Sequence, residues 1–292
     1  MNQIEESVMP ESRKNLQCTI SGSLWKNILK ETERTGESIS HLVERSLANE
    51  LDIAHHSLFQ VSTSRALVEG VFGGCLTVQD LKQHGDFGLG TYEQLDGEMI
   101  MLEGRCFQII QEGKAIEVPD AARVPFATIT RFTSDLRATI QPVDSFQQLE
   151  ESLNQLRPSG NLFVGFKIRG QFNHLSMRAA CKAKHGENLV SAVEHQSVFQ
   201  GTNCSGTLVG FWSPPYSAAI SVPGYHFHFL DEDRQFGGHV FDLSANDLSV
   251  EMHIESDIHV ALPETEEFLH ADLVNDGSKS LRKAETGETT KN

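Results

Sequence analysis

Residues 224–242 read GYHFHFLDEDRQFGGHVFD, and this stretch predicts two neighbouring strands joined by a turn. Aromatic residues alternate with His226 and His228, which places both histidines on one face of an extended chain. The polar run that follows and the pair Gly237–Gly238 predict a turn, after which a second strand begins at His239. This geometry can bring His239 opposite the first two histidines.

Three imidazoles on two adjacent strands are typical of a catalytic zinc site. The neutral rings bind the ion, and the lack of a fourth ligand nearby in sequence leaves a position open for water or substrate. The alternative is that these are ordinary strand histidines that form hydrogen bonds and bind no metal. The HxH spacing, the third histidine and the glycine pair together favour the metal site over that alternative.

The composition limits the classes of function. The 292 residues include 24 basic and 40 acidic side chains, and the resulting net charge of −16 argues against a general nucleic-acid-binding surface. Five scattered cysteines, none in CxxC spacing, predict free thiols in a reducing compartment. Since no segment approaches the ~20 apolar residues of a membrane span, we expect a soluble cytoplasmic protein.

The N-terminal part predicts a polar, disordered leader over residues 1–14 and a small module over residues 15–52. The module begins with a short alternating strand, and two helices with apolar stripes follow it, the second capped by Ser38. Strand, helix and helix in this order resemble a ribbon-helix-helix module. Because so small a unit cannot bury a core alone, the resemblance implies pairing with a second copy.

In ribbon-helix-helix proteins the outward ribbon residues, here Gln17, Thr19 and Ser21, would read the DNA major groove. Residues 1–52, however, hold six basic and nine acidic side chains, and a negatively charged segment binds phosphates poorly. We therefore expect a dimerisation device, with DNA binding as the less favoured alternative.

The remaining chain is rich in predicted strands, which indicates an α+β fold of mixed β-sheets with flanking helices. One clear helix, residues 145–156, carries Phe146, Leu149, Leu153 and Leu156 at helical spacing and ends before Pro158. Residues 249–262 read as one strand-forming segment. A division near Pro158 would give two sheet-containing lobes of similar size.

Three runs in this region carry a family resemblance: HGDFGLGTYEQLDGEMI (84–100), NLFVGFKIRG (161–170) and the histidine stretch. In this order they resemble α-acetolactate decarboxylase over residues 57–288, which leaves residues 289–292 as a tail. The resemblance implies a zinc-dependent, usually dimeric enzyme that converts (S)-2-acetolactate into (R)-acetoin and CO2. It also implies that His226, His228 and His239 are the zinc ligands.

The reaction can be argued from its chemistry as well. Acetolactate is a β-keto acid, so that loss of CO2 leaves an electron pair that must be stabilised. A metal bound to the ketone and hydroxyl oxygens would stabilise the resulting enediolate as a Lewis acid. The related substrate 2-aceto-2-hydroxybutyrate would react in the same way.

The resemblance also assigns residues around the metal. Arg178 occupies the position of the family's active-site arginine, and its planar fork can hold a carboxylate. Glu98 matches an essential glutamate that can act as acid or base, and Thr91 matches a polar site residue in the same hairpin. A glutamate near the C-terminus reaches the site in this family, and Glu285 is the better match, with Glu288 as the alternative.

Two other functions fit parts of the pattern. His226, His228 and Glu232 resemble half of a cupin metal motif, which would indicate an iron or manganese dioxygenase or isomerase. A ligand-responsive DNA-binding regulator with an acetolactate-binding domain is the second alternative. The remaining histidines, including His56 and His253, show no pairing pattern and are predicted to be structural or exposed.

Overall fold

The structure, a computed structural model, describes residues 16–35, 39–51, 56–184, 186–274 and 280–281. The α-helices within these ranges are α1 (Gly22–Thr35), α2 (Ile39–Glu50), α3 (Ser64–Val68), α4 (Val78–His84), α5 (Phe146–Leu156), α6 (Leu189–Val193) and α7 (Glu266–His270). None of them combines the length and the apolar character that crossing a bilayer requires.

Two sheets form most of the described chain. The first sheet has the strand order β14-β1-β8-β3-β4-β5-β6, and the second has the order β10-β11-β12-β13-β9. The strands of the first sheet are β1 (Ser57–Val61), β3 (Phe87–Thr91), β4 (Glu98–Leu102), β5 (Arg105–Ile109), β6 (Ala115–Glu117), β8 (Phe126–Thr130) and β14 (Asp257–Ala261). The second sheet contains β9 (Leu136–Ile140), β10 (Phe163–Ala179), β11 (Ser197–Ser213), β12 (Gly224–Asp231) and β13 (Gly237–Glu255). The short strands β2 (Leu76–Thr77) and β7 (Arg123–Val124) pair separately.

The second sheet closes on itself, because β10 pairs with β13 as well as with β11. Strands β10 to β13 therefore form a ring. Its shortest ladder joins β12 to β13 through three residue pairs, His228↔His239, Phe229↔Gly238 and Leu230↔Gly237. The two strands that carry the histidines thus meet only beside those histidines.

An apolar core joins the two sheets. Phe87 and Leu89 of the first sheet belong to the same buried cluster as Phe163, Val209 and Phe211 of the second. Burial of such side chains is the main favourable contribution to folding. The mixed, sheet-dominated α+β architecture predicted from the sequence is confirmed.

Helix α5 shows how local signals define an element. The Ser145 side chain accepts a hydrogen bond from the backbone N–H of Gln148, which is an N-cap, and Leu149 and Leu153 are fully buried. The predicted apolar stripe of this helix is therefore confirmed.

Two sequence interpretations of the strand layout are wrong. Residues 249–262 do not form one strand, because β13 ends at Glu255 in the second sheet and β14 begins at Asp257 in the first. Ser256 is thus a crossover between the sheets. Pro158 does not separate two lobes, since β9 precedes it and pairs with β13, while β14 follows it and pairs with β1.

The N-terminal module contains the two predicted helices, α1 and α2. Residues 16–21 form no strand. The helices expose apolar side chains, among them Leu24 (49%), Trp25 (44%) and Leu47 (44%). The leader, residues 1–14, lies outside the described residues.

A buried group of charged side chains lies at the crossover between the sheets. His253 and Glu255 are each 1% exposed. The His253 Nδ1 atom lies 3.2 Å from Asp135 Oδ2, and its Nε2 atom lies 3.5 Å from Glu255 Oε1. His253 therefore has an acidic side chain near each ring nitrogen, a pairing that the sequence pattern did not indicate.

This group also includes His56, and ligand atoms of His56, Asp135 and His253 lie within 4.8 Å of one another. The geometry nevertheless disfavours a metal site. The two rings are stacked with centroids 5.0 Å apart and planes 22° apart, so they do not aim at a common point. The Nδ1 atom of His56 donates a hydrogen bond to the carbonyl of Ile254 at 2.7 Å.

Burial and the neighbouring charges together set the pKa values of Glu255 and His253. Burial raises the pKa of Glu255 to about 7 from 4.5, although the neighbouring His253 acts in the opposite direction. Burial alone would lower the pKa of His253, but the hydrogen bond to Asp135 and the charge of Glu255 outweigh it and raise that pKa. Both groups therefore bind protons more tightly in the folded chain than in the unfolded chain.

We expect the free energy of unfolding to fall as the pH rises from about 5 to 8. The protonated form of Glu255 contributes stability fully below its unfolded pKa and loses it as the pH passes about 7, and His253 acts in the same direction. The contribution of Glu255 to this loss should be on the order of 3 kcal/mol. Urea unfolding at several pH values measures it. Glu255→Gln should flatten the pH profile, whereas Glu264→Gln, at an exposed position, should leave it unchanged; equal slopes for all three proteins would contradict the prediction.

Candidate metal centre and active site

The three predicted histidines converge where β12 and β13 meet. His226 and His228 lie on β12, and the strand register places His239 of β13 directly opposite His228. The Nε2 atom of His226 lies 3.2 Å from His228 Nε2 and 3.1 Å from His239 Nδ1. Because nitrogens bound tetrahedrally to one zinc ion lie about 3.3 Å apart, this spacing fits a shared ion.

Burial keeps two of these imidazoles neutral. Burial lowers the pKa of His228 to about 3, and burial and the neighbouring His228 hold the pKa of His226 well below its usual value. The Nδ1 atom of His228 donates a hydrogen bond to the carbonyl of Met99 at 2.9 Å, which leaves its Nε2 lone pair directed at the other two rings. A set of neutral imidazoles suits zinc and the neighbouring divalent transition metals.

Glu98 and Thr91 enter the same region from the first sheet. They face each other across the β3–β4 ladder, and the hydroxyl of Thr91 donates to the carbonyl of Gly97 at 2.8 Å. Glu98 is 6% exposed, and its Oε1 atom accepts a hydrogen bond from the backbone N–H of Ala180 at 2.9 Å. Its Oε2 atom lies 3.6 Å from His228 Nε2. The carboxylate therefore lies beside the histidines and is held by Ala180, the residue that follows β10.

Arg178 completes the polar group. It lies opposite His239 in the β10–β13 ladder and is 5% exposed. Its Nη1 atom donates to Gln196 Oε1 at 2.9 Å, and its Nε atom lies 3.9 Å from Glu98 Oε1. A buried guanidinium and a buried carboxylate thus lie next to the three histidines.

These residues share one cavity. Thr91, Glu98, Arg178, His226 and His239 line it, while His228 lies behind them, fully buried. Apolar side chains supply much of the remaining wall. The structure therefore brings together six of the seven residues assigned to the site from the sequence.

The seventh, Glu285, and its alternative Glu288 lie outside the described residues. The nearby Leu281 is 2% exposed and packs in the same apolar cluster as Leu95, Phe126 and Leu189. Those three residues also line the cavity. The C-terminal segment thus returns to the cavity wall at Leu281.

The cupin interpretation is wrong about its third ligand. Glu232 is exposed in the turn after β12, whereas the three histidines form the group that can bind a metal. The sequence also missed two supporting groups, Gln196 and the carbonyl of Met99. No local signal marks either of them, because their partners, Arg178 and His228, lie 18 and 129 residues away.

The chain is similar to known α-acetolactate decarboxylases. A family model for α-acetolactate decarboxylase matches residues 58–275. The α-acetolactate decarboxylase of Methanosarcina mazei is 41% identical over 250 residues, which cover 85% of each chain. That of Methylococcus capsulatus is 38% identical over 84% of this chain and 95% of its own. The crystal structure of the Bacillus subtilis strain 168 enzyme superimposes with a TM-score of 0.76 at 35% identity and covers 80% of this chain and all of its own. The chain therefore belongs to the α-acetolactate decarboxylase family and is a decarboxylase.

Proposed function

We propose that this enzyme converts (S)-2-acetolactate into (R)-acetoin and CO2 with a divalent metal ion, Zn²⁺, held by His226, His228 and His239. The observation that carries the proposal is the convergence of three ring nitrogens beside a buried carboxylate and a buried guanidinium, with His226 Nε2 3.2 Å from His228 Nε2 and 3.1 Å from His239 Nδ1. When bound, the ion supplies Lewis acidity toward the oxygens of the substrate. The related acid 2-aceto-2-hydroxybutyrate carries the same reacting groups and is proposed as a second substrate.

Arg178 binds the substrate carboxylate in this proposal. Its Nη1 atom is held by Gln196 and its Nε atom faces Glu98, so that the guanidinium is fixed before the substrate arrives. A fixed planar fork orients the carboxylate with little loss of side-chain entropy. The bond between carbon 2 and the carboxyl carbon then breaks. CO2 leaves, and the electron pair of that bond forms an enediolate with the neighbouring ketone.

Glu98 moves the proton that completes the reaction. The enediolate must gain one proton at carbon 2 to become acetoin, and only one face may receive it if a single enantiomer forms. Glu98 is held at Oε1 by the backbone of Ala180, which leaves Oε2 toward the histidines. We propose that Oε2 carries this proton, either directly or through a water molecule. Thr91 fixes the hairpin through its bond to Gly97, and Glu285 is proposed to close the site from the C-terminal segment.

We also propose that the N-terminal module pairs with a second copy of the chain. Leu24, Trp25 and Leu29 on α1 and Leu47 on α2 are each more than a third exposed, which a second module would cover. Sedimentation of the full chain should give a larger species for the wild type than for a Leu24→Glu, Trp25→Glu variant. Identical sedimentation would reject pairing through this face.

A ligand-responsive regulator is the remaining alternative. It would bind acetolactate without turnover, and its DNA affinity would change with the ligand. The proposed enzyme, which we place in the cytoplasm, turns its substrate over, and its activity does not depend on DNA binding.

Metal removal is the direct test of the proposed function. We expect the purified protein to hold about one divalent ion per chain and to release CO2 and acetoin from racemic 2-acetolactate. Dialysis against a chelator should abolish turnover, and addition of Zn²⁺ should restore it. Full turnover by a protein that elemental analysis shows to be free of metal would refute the proposed role of the histidines.

A further inference from the structure

The cavity has a polar part and an apolar part, and the apolar part has no role in the proposed chemistry. Leu67, Leu95, Phe126, Leu189 and Ala192 line it, and they are between 3% and 6% exposed. All five belong to one buried cluster. This wall is therefore packed from behind, and it cannot easily yield to a larger ligand.

Helix α6 contributes two residues of this wall. Leu189 and Ala192 are three positions apart, which places them on the same side of the helix. A reciprocal pair of hydrogen bonds between Asn188 and Ser191 fixes the start of the helix. Ala192 has the smallest side chain of the five wall residues, so its position sets how close the helix backbone comes to the ligand.

The same segment is tied to Arg178. Gln196 follows α6 by three residues and accepts the hydrogen bond from Arg178 Nη1 at 2.9 Å. If Arg178 holds the carboxylate, carbon 2 lies one bond from the bound group. Besides the carboxylate, the hydroxyl and the acetyl group, carbon 2 carries an alkyl group, which forms no hydrogen bond with the polar groups of the site.

We propose that the α6 wall receives the alkyl substituent on carbon 2 of the substrate and that Ala192 determines its permitted size. This inference rests on the proposed function, because it uses the carboxylate position given to Arg178. A methyl group would fit against the alanine. An ethyl group would press on the packed wall. An added methylene in such an apolar pocket typically changes specificity about 10-fold or more.

The test compares three substrates with the metal-loaded, full-length enzyme. 2-Acetolactate has a methyl group on carbon 2, and 2-aceto-2-hydroxybutyrate has an ethyl group there. The isomer 2-hydroxy-2-methyl-3-oxopentanoate has its ethyl group on the ketone instead, and it serves as the matched control ligand. The readout is kcat/KM for each acid, measured as CO2 release.

Ala192→Val should lower kcat/KM for the carbon-2 ethyl acid at least about 10-fold more than for 2-acetolactate. Ala192→Gly should have the opposite effect and raise the ratio of kcat/KM for the carbon-2 ethyl acid to kcat/KM for 2-acetolactate. This variant keeps the test informative if the valine variant folds poorly. The ketone-side isomer should follow 2-acetolactate in both variants. An unchanged ratio, or an equal loss for both ethyl isomers, would overturn the inference. Those outcomes differ from failure of the proposed function, in which the wild type itself would not turn over 2-acetolactate.

Discussion

His239→Ala is expected to remove both metal binding and turnover. The His239 Nδ1 atom lies 3.1 Å from His226 Nε2, and the residue is 3% exposed. Alanine would leave only two imidazoles in the group, and no further His, Cys, Asp or Glu of the described residues belongs to it as a replacement ligand. Even changes to groups that only support metal ligands typically cost 10- to 100-fold in affinity or activity, so the loss of a ligand should exceed about 100-fold. Elemental analysis and CO2 release measure the two effects.

Glu232→Gln provides the matched control for this variant. Glu232 lies in the exposed turn between the two histidine strands, and it would be a metal ligand only in a cupin-like site. We therefore expect its metal content and turnover to equal those of the wild type. Retention of metal by His239→Ala, or loss of metal by Glu232→Gln, would exclude the three-histidine site.

Glu98→Gln is expected to lower kcat by about 100- to 10,000-fold while the fold and the metal content stay unchanged. The amide keeps an oxygen that can accept the hydrogen bond from Ala180, so the contact between the sheets survives. It cannot take up a proton and deliver it to carbon 2, as the carboxyl group of Glu98 beside Arg178 and His228 can. Stopped-flow or steady-state CO2 release measures the effect.

Glu103→Gln is the control for the charge change. This glutamate lies in the turn that follows β4, its side chain is 55% exposed, and it pairs with Arg234 in the turn between β12 and β13. It should turn over acetolactate at the wild-type rate. If Glu98→Gln were equally active, the assignment of the proton to Glu98 would be wrong.

The clustering of the three histidines could be predicted from the sequence because local rules fix it. A period of two places His226 and His228 on one face, and the short polar turn before Gly237 returns the chain to put His239 opposite His228. The start of α5 at Ser145 follows from equally local chemistry. In these cases the partners lie within about 15 residues of each other, and one strand pair or one helical turn decides the geometry.

Glu98 and Arg178 could not be assigned in that way. Their positions depend on contact between two sheets, and the hydrogen bond from Ala180 to Glu98 spans 82 residues. By its local sequence alone, Glu98 looks like a surface carboxylate beside a turn, so its role came from the family resemblance. The crossover at Ser256 was also missed, because residues on both sides of it favour strands and nothing local shows that the two strands enter different sheets. The charged group at His253 depends on that crossover and was missed with it.

The closed ring of β10 to β13 has a consequence for how the protein matures. Long ladders hold β10 to β11 and β13, but only three residue pairs join β12 to β13, and His228 and His239 form one of them. A side chain at Gly237 would collide with the carbonyl oxygen of Phe229, so this short ladder tolerates no bulk and no slip of register. The ion-binding geometry therefore exists only after the ring is complete. We therefore expect metal binding to follow closure of the ring in folding. Because the ion would bind only the closed ring, it should also stabilise that state.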